Sequence, residues 1–307
     1  MNIKMIRTLG AGLLAAVWLV LTGFAWLSPD KEISDAERRP LAQWPALSVN
    51  TLLSGQFMEK FEDYTLDQFP LRDAFRSLKA GFHTGVLLQK DNNNIYIADG
   101  QAAQLEYPLS EKNVLHAVDV MNRIREKYLR DSKVFLSVIP DKGYFLAQPN
   151  GYPAMDYEKL LQIVEEGMDG EGYVNLTDLL SAEDYYATDT HWRQERILDV
   201  ARRLCEAMGV ETPSPEDYRP VQAQRPFYGV YYGQLGLSGE PDTIKYLTNK
   251  TIEGCIVTSY GTGSPQESVM YNMEKAQDKD PYEMFLSGTE PFIIIENPAA
   301  DTERELV

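Results

Sequence analysis

The sequence predicts an α/β domain carried behind a single N-terminal membrane helix, and three stretches predict it. Residues 8–27 form an apolar run without a charge. Residues 134–139 form a second, shorter apolar run, followed by a helical period over 157–168 and another strand pattern over 173–176. Strand, helix, strand over about 45 residues is a βαβ unit, which requires a parallel sheet. An amphipathic helix follows, with Ile197, Leu198, Ala201, Leu204, Cys205 and Met208 on one face and Gly209 as its stop.

Composition narrows the function classes. The 307 residues are 44% hydrophobic and 24% charged, an ordinary globular balance. A net charge of −17 disfavours nucleic acid and anionic lipid headgroups as general partners. Cys205 falls on the apolar face of a predicted helix and Cys255 in a predicted strand, so two buried free thiols are expected in preference to a disulfide. Without a CxxC or a Cys/His cluster a zinc site is not expected, and the triad reading given below needs no cofactor.

Lys4 and Arg7 precede the first apolar run, whose length of about 20 residues spans about 30 Å as a helix, the hydrocarbon thickness of a bilayer. The run closes on Phe24-Ala25-Trp26-Leu27, bulky where a cleavage site needs small residues, and Trp26 falls at an interface depth. Residues 1–28 therefore read as an uncleaved signal anchor in the cell membrane. It crosses once through 8–27, with Lys4 and Arg7 inside and everything after Ser28 extracytoplasmic. Residues 29–94 are a linker and a helical segment, and 95–307 the α/β domain.

Three prolines and alternating charges mark 29–49 as the linker. Two helices are predicted between Thr51 and Phe82, parted near Pro70. Lys90-Asp91-Asn92-Asn93-Asn94 reads as a hairpin turn between strands at 86–89 and 95–98. Val114, Leu115, Val118, Met121, Ile124 and Tyr128 give a helix over 110–130. Residues 226–247 are rich in glycine and aromatics without a helical period and read as irregular. Residues 252–260 and 291–296 read as strands, and 267–280 as a solvated surface segment. Glu305, Leu306 and Val307 read as the opening of one more buried strand, so the domain is expected to continue past them.

His191, one of three histidines, lies in Tyr185-Tyr186-Ala187-Thr188-Asp189-Thr190-His191-Trp192. The stretch comes just past the second strand of the βαβ unit, where ligand and catalytic groups collect in open α/β sheets. In an extended segment the side chains at i and i+2 point the same way. Asp189 is then placed to hold one imidazole nitrogen and leave the other free, as the acid and base of a nucleophilic triad do. The competing reading is an incidental D-x-H in a surface loop. A metal reading lacks further ligands, because His83 and His116 fall in predicted helices and read as structural. No serine supplies the nucleophile, which needs a sharp turn after a strand. There is no G-x-S-x-G, Ser132 precedes a strand, Ser238 lies in an irregular loop, and Ser259 and Ser264 lie in a plain turn. Lys142 reads as a contact for a substrate anion or as a solvated turn charge. Tyr228, Tyr231 and Tyr232 read as faces for stacking sugars or as ordinary packing.

The octapeptide at 185–192 resembles the signature of the DHHW family and its relatives, the periplasmic alginate O-acetyltransferases, which are SGNH-hydrolase-like proteins. In that family a Y-x-x-T-D-x-H-W segment supplies the catalytic aspartate and histidine. The resemblance implies that Asp189 is the orienting acid and His191 the general base. Position 190 is threonine, as in the acetyltransferases, where the name-giving members carry histidine. Similar blocks run in order through residues 34–42, 61–72, 139–142, 281–288 and 291–297. The resemblance implies an SGNH-like three-layer α/β/α domain with a parallel sheet, incomplete here, behind the membrane helix and helical segment. It also implies a serine in a D-S-F/Y-like turn beyond Val307, and hence an inactive fragment.

The expected protein is a membrane-anchored, extracytoplasmic O-acetyltransferase or acetylesterase. Its partners are a cell-envelope or exported polysaccharide and an acetyl donor, with a membrane acyltransferase as a candidate further partner. The alternative is a non-catalytic envelope or scaffold protein that keeps the fold as a binding module.

Overall fold

The first apolar run forms helix α1 (Ile3–Leu27), and the computed structural model describes residues 3–34, 36–37, 39–170, 172–212, 214–236, 239–261 and 263–300. None of the residues of α1 is buried, and among the described residues it is the one helix long and apolar enough to cross a membrane. This fits a single-pass anchor. The chain divides into two compact units, Met1–Gln89 with Gly236–Ser238 and Lys90–Leu235 with Gly239–Val307.

In the first unit the predicted linker contains a two-stranded ribbon. β1 (Ile33–Ser34) pairs antiparallel with β2 (Arg39–Pro40). Three helices follow where two were expected: α2 (Val49–Leu53), α3 (Gln56–Asp67) and α4 (Arg72–Gly85). The extra break falls at Gly55, whose φ of +80° a glycine reaches without steric cost. Ion pairs bind the linker to the helices. Arg39 donates to both Asp67 oxygens at 2.8 and 2.6 Å, and Arg72 and Arg76 reach Glu37 at 2.6 and 3.3 Å. The hydrogen bond from Arg39 holds the Asp67 carboxyl at about 2, against the opposing effect of burial.

In the second unit β3 (Asp91–Asn92), β4 (Ile95–Ala98) and β5 (Gln101–Gln104) form an antiparallel meander. Asn93 and Asn94 make its first turn at φ of 55° and 60°, a conformation asparagine tolerates. The strand expected at 86–89 is not formed. α5 (Glu111–Tyr128) buries Val118, while Leu115, Ile124 and Tyr128 of its predicted apolar face stay exposed.

The βαβ unit is present but slight. β6 (Phe135–Leu136) leads through α6 (Lys142–Leu146) and α7 (Tyr157–Gly167) to β7 (Gly172–Tyr173), and the two strands pair in parallel. Just past the ladder the Ser137 hydroxyl donates to the Val174 carbonyl at 2.8 Å. Among the described residues every other strand pairing is antiparallel, so the molecule is a mixed α/β structure with several small sheets.

α8 (Leu198–Met208) ends at Gly209 with φ +67°, as its sequence predicts. Its buried residue is Val200, and Ala201 is exposed, so the packed face is rotated from the predicted one. Both cysteines are free thiols, half-buried where fully buried ones were expected. The stretch read as irregular contains a helix and most of a strand. β8 (Arg219–Phe227) and β9 (Asp242–Thr248) form an antiparallel ribbon interrupted between Gln222 and Pro226, and α9 (Val230–Leu235) lies between them. After α10 (Lys250–Glu253), β10 (Ile256–Ser259) lies between β11 (Gln266–Ser268) and β12 (Ile293–Glu296). Ala276 is buried, so 267–280 is more than a solvated segment. Glu305, Leu306 and Val307 lie outside the described residues.

Three apolar clusters bear on the site. Tyr186 packs with Ala223, Phe227, Ile244, Ala276 and Met284. Trp192 packs against Val174, Leu176, Leu180 and Val200, and Ala182 against Tyr96, Ala98, Ala103, Leu146 and Ala147. The segment 182–192 is thus fastened to all three.

Candidate active site

The aromatic residues of the octapeptide fix a tight loop, where the sequence suggested an extended segment. Tyr185 bridges to Trp192, and the Tyr186 N–H donates to the His191 carbonyl at 3.1 Å. Tyr185 and Tyr186 are buried, and the Tyr185 hydroxyl donates to the Pro140 carbonyl. The Asp189 and His191 side chains meet because the loop doubles back, and the i, i+2 alternation of a strand plays no part. The His191 ring lies before the short turn Gln194–Arg196, so it does not directly precede α8.

Asp189 is 1% exposed. Its Oδ1 accepts from the His191 N–H at 3.0 Å and contacts His191 Nδ1 at 2.5 Å, and its Oδ2 accepts from the Val230 N–H at 2.7 Å. Burial pushes this carboxyl up, but the His191 ring and the two backbone N–H groups outweigh it and hold it at about 2. An ionised carboxylate only accepts, so Nδ1 carries a proton, and in the neutral ring Nε2 keeps its lone pair. The His191 side chain is 49% exposed and stacks on the Tyr282 ring at 4.1 Å and 22°. Buried acid, oriented imidazole and an open second nitrogen together can draw a proton from a hydroxyl or thiol brought to the ring.

The peptide units just before Asp189 are gripped by opposite charges. Asp242, at the start of β9, accepts from the Ala187 N–H, the Thr188 N–H and the Thr188 hydroxyl at 2.8, 2.8 and 2.6 Å. Lys142 donates from Nζ to the carbonyls of Tyr186 and Ala187 at 2.8 and 3.2 Å and lies 5.2 Å over the Tyr231 ring. Lys142 is 3% exposed. It is therefore neither a solvated turn charge nor open to a substrate anion, as the sequence had suggested. Burial pulls its ammonium down to about 8, although Asp242 and Asp189 oppose the shift.

That value sets a pH dependence. The folded ammonium lies below the roughly 10.4 of an unfolded lysine, so between the two the unfolded chain binds the extra proton and stability rises with pH. Lys142→Met should lack this rise. Urea denaturation near pH 7.5 and pH 10 should show the parent chain gaining about 2 kcal/mol on the variant. Equal slopes would contradict the burial of the charge.

The N-terminus of α9 closes the other side. The Gly229 N–H donates to the Thr188 hydroxyl at 2.8 Å, and the Tyr231 and Tyr232 N–H groups donate to the Thr188 carbonyl at 3.1 and 3.3 Å. A Cβ on Gly229 would lie 2.2 Å from the Thr188 carbonyl oxygen and 2.4 Å from the Asp189 Cβ. Of the aromatic candidates, Tyr231 is buried and packs, while Tyr228 is exposed and its ring lies 4.6 Å from that of Tyr232.

The structure brings Asp189 and His191 into contact. His83 and His116 lie in α4 and α5. Ser259 is buried with its hydroxyl accepting from the Gly261 N–H, Ser132 follows α5, and Ser238 lies outside the described residues. Asp242, Gly229, Val230 and Tyr282 were missed as site residues. Gly229 between aromatics was the one local signal, a glycine where backbones approach closely.

No family model matches the chain, and no curated protein matches it. Among solved structures it is similar to a DHHW family protein from Eubacterium siraeum DSM 15702, at 18% identity and a TM-score of 0.53, over 69% of this chain and 73% of that one. It is also similar to PatB1 of Bacillus cereus, at 16% identity and a TM-score of 0.52, over 68% of this chain and 77% of that one. At these identities the likeness is one of fold.

Proposed function

We propose that the chain is a membrane-anchored, extracytoplasmic SGNH-like O-acetyltransferase or acetylesterase acting on a cell-envelope or exported polysaccharide. The hydrogen-bonded pair of a buried Asp189 and a half-exposed His191 carries this reading. In it, His191 Nε2 takes the proton of a serine hydroxyl supplied from outside residues 1–307, and the serine oxygen attacks the carbonyl carbon of an acetyl donor. Collapse of the tetrahedral intermediate leaves an acetyl-serine and a leaving group that takes the proton from His191. A polysaccharide hydroxyl or water then attacks the acetyl-serine with the same imidazole as base. Asp189 keeps Nδ1 protonated and stabilises the imidazolium, and no step requires a metal or an organic cofactor. The parallel pairing of β6 with β7 supports an SGNH-like layered sheet as the frame.

In a chain that carries such a serine, His191→Ala should lower acetyl-ester turnover by about 10³-fold or more. Undiminished turnover in a folded variant would refute the assignment. A binding module that keeps the fold is the second reading. A D-S-F/Y turn in the coding sequence past Val307 separates the two, since only the enzyme needs it.

A further inference from the structure

α4 is an amphipathic helix that faces the wrong way for a helix in water. Leu71, Phe75, Leu78, Phe82 and Val86 recur at spacings of four and three and make one apolar stripe. A soluble domain packs such a stripe on its core. Here Phe75, Leu78 and Phe82 are 43, 67 and 50% exposed, while Ala80 on the opposite side is fully buried. The charged edge also turns inward, where Arg72 and Arg76 hold Glu37. The exposed apolar surface continues past the helix through Val86, Leu87 and Leu88. A contiguous patch of this kind marks a surface that meets something other than water.

Two observations identify the occupant as lipid. The stripe belongs to the same compact unit as α1, the helix able to cross a membrane. Charge is also divided unevenly along the chain. The nine cations and nine anions of residues 1–89 cancel, so the whole net charge of −17 falls on residues 90–307. The segment bearing the stripe is thus the one that an anionic surface does not repel. With Arg72 and Arg76 already paired, insertion draws on apolar area and is expected on zwitterionic lipid as well as on anionic lipid.

We propose that α4 lies in the membrane interface, with Leu71, Phe75, Leu78 and Phe82 among the acyl chains of the leaflet at the C-terminal end of α1. The proposal rests on α1 being the anchor. It gives the chain a second attachment, which limits how far the segment after the anchor can swing from the bilayer.

The test is depth measurement on the whole chain in phosphatidylcholine vesicles. Leu78→Cys, Phe82→Cys and, as control, Ser77→Cys each carry an environment-sensitive fluorophore in a Cys205→Ser, Cys255→Ser background. Labels at 78 and 82 are expected to emit in the blue and to be quenched at least about twofold by a doxyl group on the lipid tail, and the label at 77 by aqueous iodide. Water-like emission at 78 and 82 overturns the proposal. Blue emission that neither quencher reaches also overturns it, because a protein then covers the stripe. Extraction at alkaline pH tests α1 separately: a chain that resists extraction while labels 78 and 82 stay in water keeps its anchor and loses the proposal.

Discussion

Gly229→Ala is expected to destabilise the second unit by more than about 3 kcal/mol and to dislodge Asp189 from its partners. The new methyl would stand 2.2 Å from the Thr188 carbonyl oxygen and 2.3 Å from its carbon, atoms that no rotamer change can move aside. Relief therefore requires α9 to retreat from the loop. Retreat breaks the bonds from Gly229 to the Thr188 hydroxyl and from Val230 to Asp189 Oδ2, and it loosens those of Tyr231 and Tyr232 to the Thr188 carbonyl. Each N–H or oxygen left buried without a partner adds about 1–3 kcal/mol. Chemical denaturation reads the stability, and the downfield proton resonance of the His191–Asp189 bond reads the geometry. A variant that keeps both would show that the loop and α9 can separate freely. Tyr228→Ala, on an exposed neighbour of the same glycine, serves as the mild control.

The same residues show how much was legible in the sequence. α1, α7 and α8 were readable because apolar run, helical period and glycine stop are local signals, and the βαβ unit was readable from the order of its parts. Its extent was not: the ladder covers two residues of each strand, and beyond it a side-chain bond from Ser137 reaches the Val174 carbonyl. The stretch 226–247 hid an antiparallel ribbon, since the ribbon is set by pairing across β8 and β9 and its glycines and aromatics carry no period. The approach of Asp189 to His191 was suggested by their spacing, but through a strand geometry that the loop does not have. The grip on that loop was invisible. Asp242 lies 55 positions from Ala187 and Lys142 lies 44 from Tyr186, and no motif links residues so far apart. Lys142 shows the difficulty most clearly, because a lysine after a strand end ordinarily faces water, and only the converging carbonyls of Tyr186 and Ala187 explain why this one does not.

Asp189→Asn separates the chemical role of the carboxylate from its structural one. The wild-type group offers acceptors on both sides, Oδ1 to the His191 N–H and ring and Oδ2 to the Val230 N–H. An amide has one oxygen. If that oxygen keeps Val230, the amide NH2 faces His191, where it leaves the His191 backbone N–H without an acceptor and forces Nδ1 to accept, which moves the ring proton to Nε2. If the oxygen turns to His191, the NH2 opposes the Val230 N–H. Either arrangement leaves a buried donor without an acceptor, at about 1–3 kcal/mol. The first also removes the lone pair that the proposed mechanism uses, and acetyl-ester turnover should fall by about 10⁴-fold. Acid stability reports on the same group. Its folded value of about 2 lies below the roughly 3.9 of an unfolded aspartate, so its contribution is complete above about pH 4 and is lost as pH falls through 2. The variant should lack that acid-side loss, which amounts to about 2–3 kcal/mol in the parent chain. Nitrogen chemical shifts of His191 identify the tautomer directly. A variant whose ring proton remains on Nδ1 and whose turnover is unchanged would leave Asp189 as a structural acid and remove the basis of the enzymatic reading.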